Sequence, residues 1–399
     1  MKIVITGASG VVGRALVYAL TSKGVSLLLV GRDTNRLKQQ FPEQDVCGYD
    51  DFGRRAVGAD LVLHLAALNN SVRASESDFY AINVKLALAT AETARAAGIP
   101  LFVYVSSTHA LDDRRNDPYS ESKRLGSSRL AQVSGITVTT LYLAAVHGDT
   151  WAGKLSVLNS LPAPLANGLF SMLSALRPTT SITAIVQFVL KAAISPQPKF
   201  VILTDQQYGN RVYGFISRTT DLLGATLIGL LLWWLFLILW AAIRLQSRGP
   251  GIFAQERVGR GGRIFTCFKF RTMKAGTPQT ATNLVSGSAV TSLGRVLRRT
   301  KLDELPQIWN IFRNEMSFIG PRPCLPTQRT LVEARERLGV LDIKPGISGL
   351  AQVAGVDMSD PHLLAELDAR YLALRSLALD ANIVLATIRG NGQGDNTAT

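Results

Sequence analysis

Cysteine and histidine are scarce in this chain. Its 399 residues include three cysteines, Cys47, Cys267 and Cys324, too few and too widely spaced for a disulfide framework or a thiolate zinc site. That usage fits a reducing, cytosolic setting. His64, His109 and His147 fall at strand ends or in loops, where nothing in the sequence pairs them into a metal or base constellation. Acids are also short: 29 Asp and Glu stand against 43 Lys and Arg, a formal net charge of +14. Such an excess points to an anionic partner: nucleic acid, anionic lipid or a phosphorylated substrate. No nucleic-acid-binding module is legible, so the first is set aside. The start, MKIVITGASG, lacks the apolar run of a signal peptide and breaks at Gly7.

Charge is missing altogether from Leu222 to Ile243, with LLLWWLFLILW in the middle. A straight helix of that length spans about 33 Å, enough for a bilayer and too apolar for a soluble core helix. Between Arg211 and Lys274 there are ten Lys or Arg and two acids, Asp221 and Glu256. Arg211 and Arg218 precede the apolar run, and Arg244 and Arg248 follow it. Basic flanks at both ends place both ends on the cytoplasmic side, so the segment is expected to enter and leave through one leaflet. It has no proline to supply a kink: Trp233-Trp234 occupies the middle, with Gly224 and Gly229 upstream.

The most informative stretch runs from Thr300 to Pro323, TKLDELPQIWNIFRNEMSFIGPRP. Adjacent carboxylates, Asp303 and Glu304, follow a basic cluster of Arg295, Arg298, Arg299 and Lys301. The rigid corner Pro321-Arg322-Pro323 fixes a further guanidinium. A nucleophilic Asp beside a second acid that binds metal or shuttles protons, ringed by cations, suits attack on a phosphoryl group. Lys269 and Arg271 in FKFRTM add two further cations, and Arg257, Arg260 and Arg263 are expected nearer lipid headgroups.

Four blocks carry a family resemblance: residues 249–273, 293–323, KPGISGLAQVAG at 344–355 and ELDARYLALRSLALD at 366–380. In this order they resemble the bacterial sugar transferases known as monotopic phosphoglycosyl transferases. The resemblance implies transfer of a sugar-1-phosphate from a UDP-sugar to a polyprenyl (undecaprenyl) phosphate, with release of UMP, at the cytoplasmic leaflet of the bacterial inner membrane. It implies Asp303 as nucleophile and Asp303 with Glu304 as ligands of Mg²⁺. Lys269, Arg271, Arg299 and Arg322 would contact the phosphates or uridine.

The other half opens on a buried strand, Lys2 to Ile5, and TGASGVVG. Gly7, Gly10 and Gly13 stand where strand turns to helix, the place for a backbone that approaches a pyrophosphate. A second strand, VSLLLV, ends at Val30 and is followed by Arg32, which suits a 2′-phosphate and tilts the cofactor toward NADP over NAD, while Asp33 argues for NAD. ADLVLHLAA and IPLFVYVSST read as further buried strands, with a helical region including Asn83 between them. Tyr119 and Lys123 lie on one helix face, so the ammonium is expected to lower the phenol pKa while Thr108 holds the reacting oxygen. Together these motifs resemble the extended short-chain dehydrogenase/reductases acting on nucleotide sugars, and the resemblance implies Thr108, Tyr119 and Lys123 as catalytic trio. Two departures stand out: LYLAAVHGD lacks the family's Arg-Pro pair, and residues 150–198, which should cover the sugar, are few. A small pocket, a pocket completed by a partner subunit and a non-catalytic binding or dimerisation module all remain open.

The expected fold class is α/β: a Rossmann-type doubly wound parallel sheet over residues 1–206, then a re-entrant membrane helix and a small α-rich transferase domain. The divisions are a lead-in at 207–221, the membrane helix at 222–245, the transferase at 246–390 and a disordered tail at 391–399. Residues 274–292 are expected to form a mobile loop beside the site. The combined activity is 4-epimerisation or 4-keto reduction of a UDP-sugar, followed by its loading onto the lipid carrier. A homodimer is the default assembly.

Overall fold

The structure is a computed structural model describing residues 1–70, 72–148, 151, 153–277 and 289–390. The tail and most of the expected mobile loop lie outside the described residues. The chain divides into two compact units, one of Met1–Phe170 with Pro178–Asp205, the other of Ser171–Arg177 with the chain from Gln206 onward.

The first unit is built on nine strands: β1 Lys2–Thr6, β2 Ser26–Val30, β3 Asp45–Cys47, β4 Leu61–His64, β5 Leu101–Ser107, β6 Thr137–Leu143, β7 Ala145–His147, β8 Thr179–Ser181 and β9 Phe200–Leu203. Seven form one parallel sheet in the order β3-β2-β1-β4-β5-β6-β9, and β7 pairs with β8 separately. The sequence explains why the sheet is covered on both faces. Ile3, Ile5, Leu27, Leu29, Leu61 and Leu63 point into one apolar cluster, and Val4, Leu28, Val30, Val62 and Phe102 into the other. A strand buried on both sides has no polar alternation to show.

The order of strands reverses between β1 and β4, so the crevice at their carboxyl ends is the topological switch point where such folds bind ligands. Gly7 ends β1 there with φ +74°, and a Cβ on it would lie 2.5 Å from the amide nitrogen of Ala66, just beyond β4. Gly10 caps the helix Val11–Thr21, and Gly13 is buried in its first turn.

In the second unit, one helix runs without interruption from Arg211 to Gln246, about 54 Å of chain. Asn210 caps its start by accepting from the amides of Val212 and Tyr213. Its apolar window has a mean hydropathy of 2.5 and is only 11% buried. No kink interrupts it at Trp233-Trp234, in keeping with the lack of proline there. Among the described residues an antiparallel hairpin, β10 Ile252–Val258 with β11 Ile264–Phe270, and a short parallel pair, β12 Ser317–Ile319 with β13 Gly346–Ser348, complete the sheet structure. Among the helices of this body are Arg329–Arg337, Pro361–Leu374 and Leu377–Ile388.

Candidate active sites

The Asp303-Glu304 pair is presented by local backbone geometry. The helix Ser292–Thr300 ends at Lys301 in the left-handed conformation (φ 57°), which turns the chain into a tight helical turn, Leu302–Gln307. Pro306 sits within that turn, and Asp303 and Glu304 are buried on it. β11 packs beside the turn. Asn310, fully buried, fastens the next helix to that strand, donating to the Thr266 carbonyl at 2.7 Å and accepting from the Phe268 amide at 3.2 Å. This lock sets the height of Lys269, one residue on.

Lys269 Nζ donates to Glu304 Oε1 at 2.9 Å, and the Arg322 guanidinium stands 3.1 Å from the same oxygen. Arg322 is brought in by the Pro321–Pro323 corner after β12, where β12 and β13 meet so closely that a Cβ on Gly346 would fall against the Gly320 amide nitrogen. A small open pocket is lined by Arg257, Cys267, Lys269, Glu304, Gln307 and Arg322, with Pro323, Gly346 and Ile347.

The two neighbouring acids are driven in opposite directions. Burial pushes the Asp303 carboxyl up to about 6, with Glu304 adding to the rise and Lys269 and Arg322 opposing it. Burial would also raise Glu304, but the Lys269 ammonium and the Arg322 guanidinium prevail and hold it at about 2. One acid is therefore fixed as an anion between two cations, and the other titrates close to neutrality. Two adjacent acids driven apart in this way make the pair a candidate for chemistry that needs one anion and one titrating carboxyl.

Other residues read from the sequence are placed elsewhere. Arg271 does not join the pocket: its guanidinium donates to the carbonyls of Ser247 and Arg248 at 2.7 and 2.9 Å and to Ser247 Oγ at 3.0 Å, capping the end of the long helix. Arg299 is exposed, whereas Arg298 donates to Thr272 Oγ1 at 2.9 Å and helps lower the Asp303 pKa. Arg257, expected at the headgroups, lines the pocket and donates to the Pro323 carbonyl at 2.9 Å. Sequence reasoning missed Asn310 and Gln307; the one signal for Asn310 was an amide within an apolar helical run.

In the first unit, β5 delivers Ser107 and Thr108 to the carboxyl edge of the sheet, and the helix Pro118–Leu130 presents Tyr119 in its first turn. The phenol pairs with Ser107, the neighbour of the expected Thr108. Burial raises its pKa, with Ser107 opposing and Asp117 adding, so the expected depression by Lys123 is not found. Lys123 is itself buried, donates to the Val105 carbonyl at 2.8 Å and lies over the Tyr104 ring. Burial takes its pKa from 10.5 down to about 7, so it has lost its charge in the range where a phenol ionises. Between those two values the unfolded chain holds more protons than the fold, so this unit gains stability as pH rises. Lys123→Met is expected to remove that slope, measured as denaturant midpoints from pH 7 to pH 10. His147, read as unpaired, is in fact 2.8 Å from Asp205 Oδ2, which also accepts from Thr179 Oγ1.

Both implied cofactor sites can be tested against these residues. Among the described residues no group of three or more His, Cys, Asp or Glu is gathered to hold a metal. Two carboxylates are nevertheless enough for Mg²⁺, which keeps its waters and shares substrate phosphates. At the switch point Gly7 and Gly10 leave backbone room for a pyrophosphate. Arg32 is exposed just past β2, while Asp33 is occupied in accepting from the Arg36 amide at 2.9 Å as a helix cap. The residues fit NAD or NADP.

Comparison with known proteins agrees with this division. Residues 212–392 match the bacterial sugar transferase family, and residues 3–150 the NAD dependent epimerase/dehydratase family. A UDP-N-acetylgalactosamine-undecaprenyl-phosphate N-acetylgalactosaminephosphotransferase from Aeromonas hydrophila is 39% identical over 188 residues, 45% of this chain and 44% of that protein. The chain thus spans less than half of that relative's length. A UDP-glucose:undecaprenyl-phosphate glucose-1-phosphate transferase from Caulobacter vibrioides is 37% identical over 183 residues, 43% of this chain and 68% of that protein. Among solved structures, the Bordetella bronchiseptica enzyme WbmG in complex with NAD aligns over 51% of this chain and 72% of its own, with 17% identity and a TM-score of 0.41.

Proposed function

This chain belongs to the bacterial sugar transferase family through residues 212–392, and on that premise we propose that it moves a sugar-1-phosphate from a UDP-sugar to polyprenyl phosphate, releasing UMP. The observation that carries the reading is the acid pair: Asp303, buried and ionising at about 6, beside Glu304, neutralised by Lys269 and Arg322. A carboxylate oxygen of Asp303 bonds to the phosphorus that bears the sugar as the bond from that phosphorus to the UMP oxygen breaks, and UMP leaves with the electron pair. An oxygen of polyprenyl phosphate then attacks the same phosphorus and expels the Asp303 carboxylate, which is regenerated. Glu304 holds Lys269 and Arg322 in place for the diphosphate. Asp303 and Glu304 would hold Mg²⁺, which when bound offsets diphosphate charge.

Membrane seating at the cytoplasmic leaflet is supported by how the long helix packs. Near its start Tyr213 donates to Asp380 Oδ2 and Arg218 to the Ile311 carbonyl, both at 2.7 Å, and near its end Leu239 and Ile243 join Phe270 and Leu297. Both ends rest on the same globular body, which supports a reading in which both keep to one side of the membrane. Leu223, Leu227, Leu230, Trp233 and Leu237 face outward for lipid.

For residues 3–150 the reading is an NAD(P)-dependent change of the UDP-sugar, 4-epimerisation or 4-keto reduction, made before transfer. The nicotinamide, when bound, gives or takes the hydride. Tyr119 exchanges a proton with the sugar oxygen, with Ser107 and Thr108 beside it. The raised pKa of Tyr119 favours a second reading, in which this unit binds nucleotide without catalysis. Purified protein in nanodiscs, supplied with Mg²⁺ and polyprenyl phosphate, tests both parts. UMP release is expected from a narrow set of UDP-sugars, and one donor is expected to require reduced cofactor. If Tyr119→Phe leaves conversion of every UDP-sugar unchanged, the second reading replaces the first. UMP release from no sugar would reject the transferase.

A further inference from the structure

The helix Ala163–Leu176 is built inside out. A helix on a soluble protein buries its large apolar residues and exposes small or polar ones. Here Ala166 and Ala175 are 1% and 0% exposed, while Leu165, Met172, Leu173 and Leu176 are 53%, 54%, 44% and 48% exposed. Leu165, Leu169, Met172 and Leu176 recur every three or four residues, so they form one outward stripe. No charged side chain occurs between Lys154 and Arg177. The sequence assigned this segment to covering a sugar; the stripe of Leu and Met is turned to the outside instead.

The stripe's position identifies its occupant. Asn210, the cap of the long helix, donates to the Ser171 carbonyl and to Ser174 Oγ, both at 3.0 Å, and accepts from Ser171 Oγ at 3.2 Å. Gln207 donates to the Ser174 carbonyl at 2.7 Å. The last turns of the inside-out helix are thus bolted to the head of the long apolar helix, where Phe215 is 73% exposed. At 14 residues, about 21 Å, it is too short to cross a bilayer. Arg177 and Arg211 stand at the junction, placed for anionic headgroups.

We propose that Ala163–Leu176 is a second membrane-contact element, lying in the bilayer interface with Leu165, Leu169, Met172 and Leu176 in the acyl layer. The proposal rests on reading the long helix as membrane-inserted. It gives the chain a lipid contact upstream of the transferase region, so that the segment following residues 3–150 is held at the surface where the lipid carrier resides.

The test uses full-length protein with the environment-sensitive dye NBD attached at Met172→Cys or Leu176→Cys. The three native cysteines are buried, and circular dichroism confirms that each labelled protein is folded. Val57→Cys and Leu230→Cys, at positions 63% and 71% exposed, serve as the remote and long-helix controls. Nanodiscs of phosphatidylethanolamine and phosphatidylglycerol with brominated acyl chains are the quencher. The expected result is quenching at 172 and 176 from a depth of about 5–10 Å, with none at 57. Quenching at 230 but not at 172 or 176 would overturn the proposal and leave the membrane-inserted long helix intact. If neither 230 nor 172 is quenched, the membrane reading itself fails and this proposal with it. Unquenched label at 172 together with oxidative cross-linking of two Met172→Cys chains would assign the stripe to a contact between copies, which also overturns it.

Discussion

Asp303→Asn is expected to lower UMP release by at least about 10⁴-fold and yet to raise the melting temperature. The first effect follows because an amide is no nucleophile toward phosphorus and no other described carboxylate shares its place. Intact-mass analysis should find a phosphosugar adduct on the wild type after a pulse of donor, and none on the variant. The second effect follows from burial. The Asp303 carboxyl ionises near 3.8 in the unfolded chain and at about 6 in the fold. Below the lower value both states are protonated and the site costs nothing. As pH rises through about 6 the fold must hold an anion that the unfolded chain would solvate, so stability falls. The variant's gain should therefore be absent near pH 4 and full above pH 6, on the order of 1–3 kcal/mol. The same titration governs rate: wild-type turnover should rise with pH through about 6, where the nucleophile loses its proton. A variant that is inactive and less stable at pH 8 would contradict the placement of Asp303 as a charge held against its burial.

Arg335→Met is expected to be the most destabilising single change to the transferase body. Arg335 and Asp368 form an ion pair in which each side chain is 2% exposed, with Nε–H and a terminal N–H on Oδ2 at 3.0 and 2.7 Å. Removing one partner leaves the other buried and unpaired, a loss of about 3–5 kcal/mol. The third contact links this pair to chemistry: another Arg335 nitrogen donates to the Arg322 carbonyl at 2.8 Å. Arg335 is thus a positioning residue for the guanidinium that faces Glu304. The double variant Arg335→Met, Asp368→Leu separates the two roles. It should recover most of the stability, since an apolar pair of similar volume needs no desolvation. Its kcat should stay depressed, by up to about 10²-fold if Arg322 shifts by an ångström, with a smaller change in KM. Full recovery of kcat alongside stability would show that Arg335 is only structural.

Much of this protein is written locally in its sequence. The apolar runs of β1, β2, β4 and β5, the glycines at Gly7, Gly10 and Gly13 and the uncharged stretch from Leu222 to Ile243 each act over a few residues. Strand, turn and helix propensities operate over that same range, so both halves and the acid pair could be read directly. The partners of the charged residues could not. Arg271, just past the end of β11, and Lys269 on it are two residues apart, yet one caps a helix end and the other grips Glu304. Which cation meets Glu304 depends on contacts such as Asn310 on β11 and Arg335 on the Arg322 carbonyl. The same holds for Tyr119, whose pKa is raised because tertiary packing buries it, against the effect expected from a Lys four residues away. The inside-out orientation of Ala163–Leu176 is of this kind too: its composition is that of any apolar helix, and only its packing put alanine inward and leucine outward. Charge pairing and burial are set by neighbours distant in the chain, and no local pattern records which neighbours those will be.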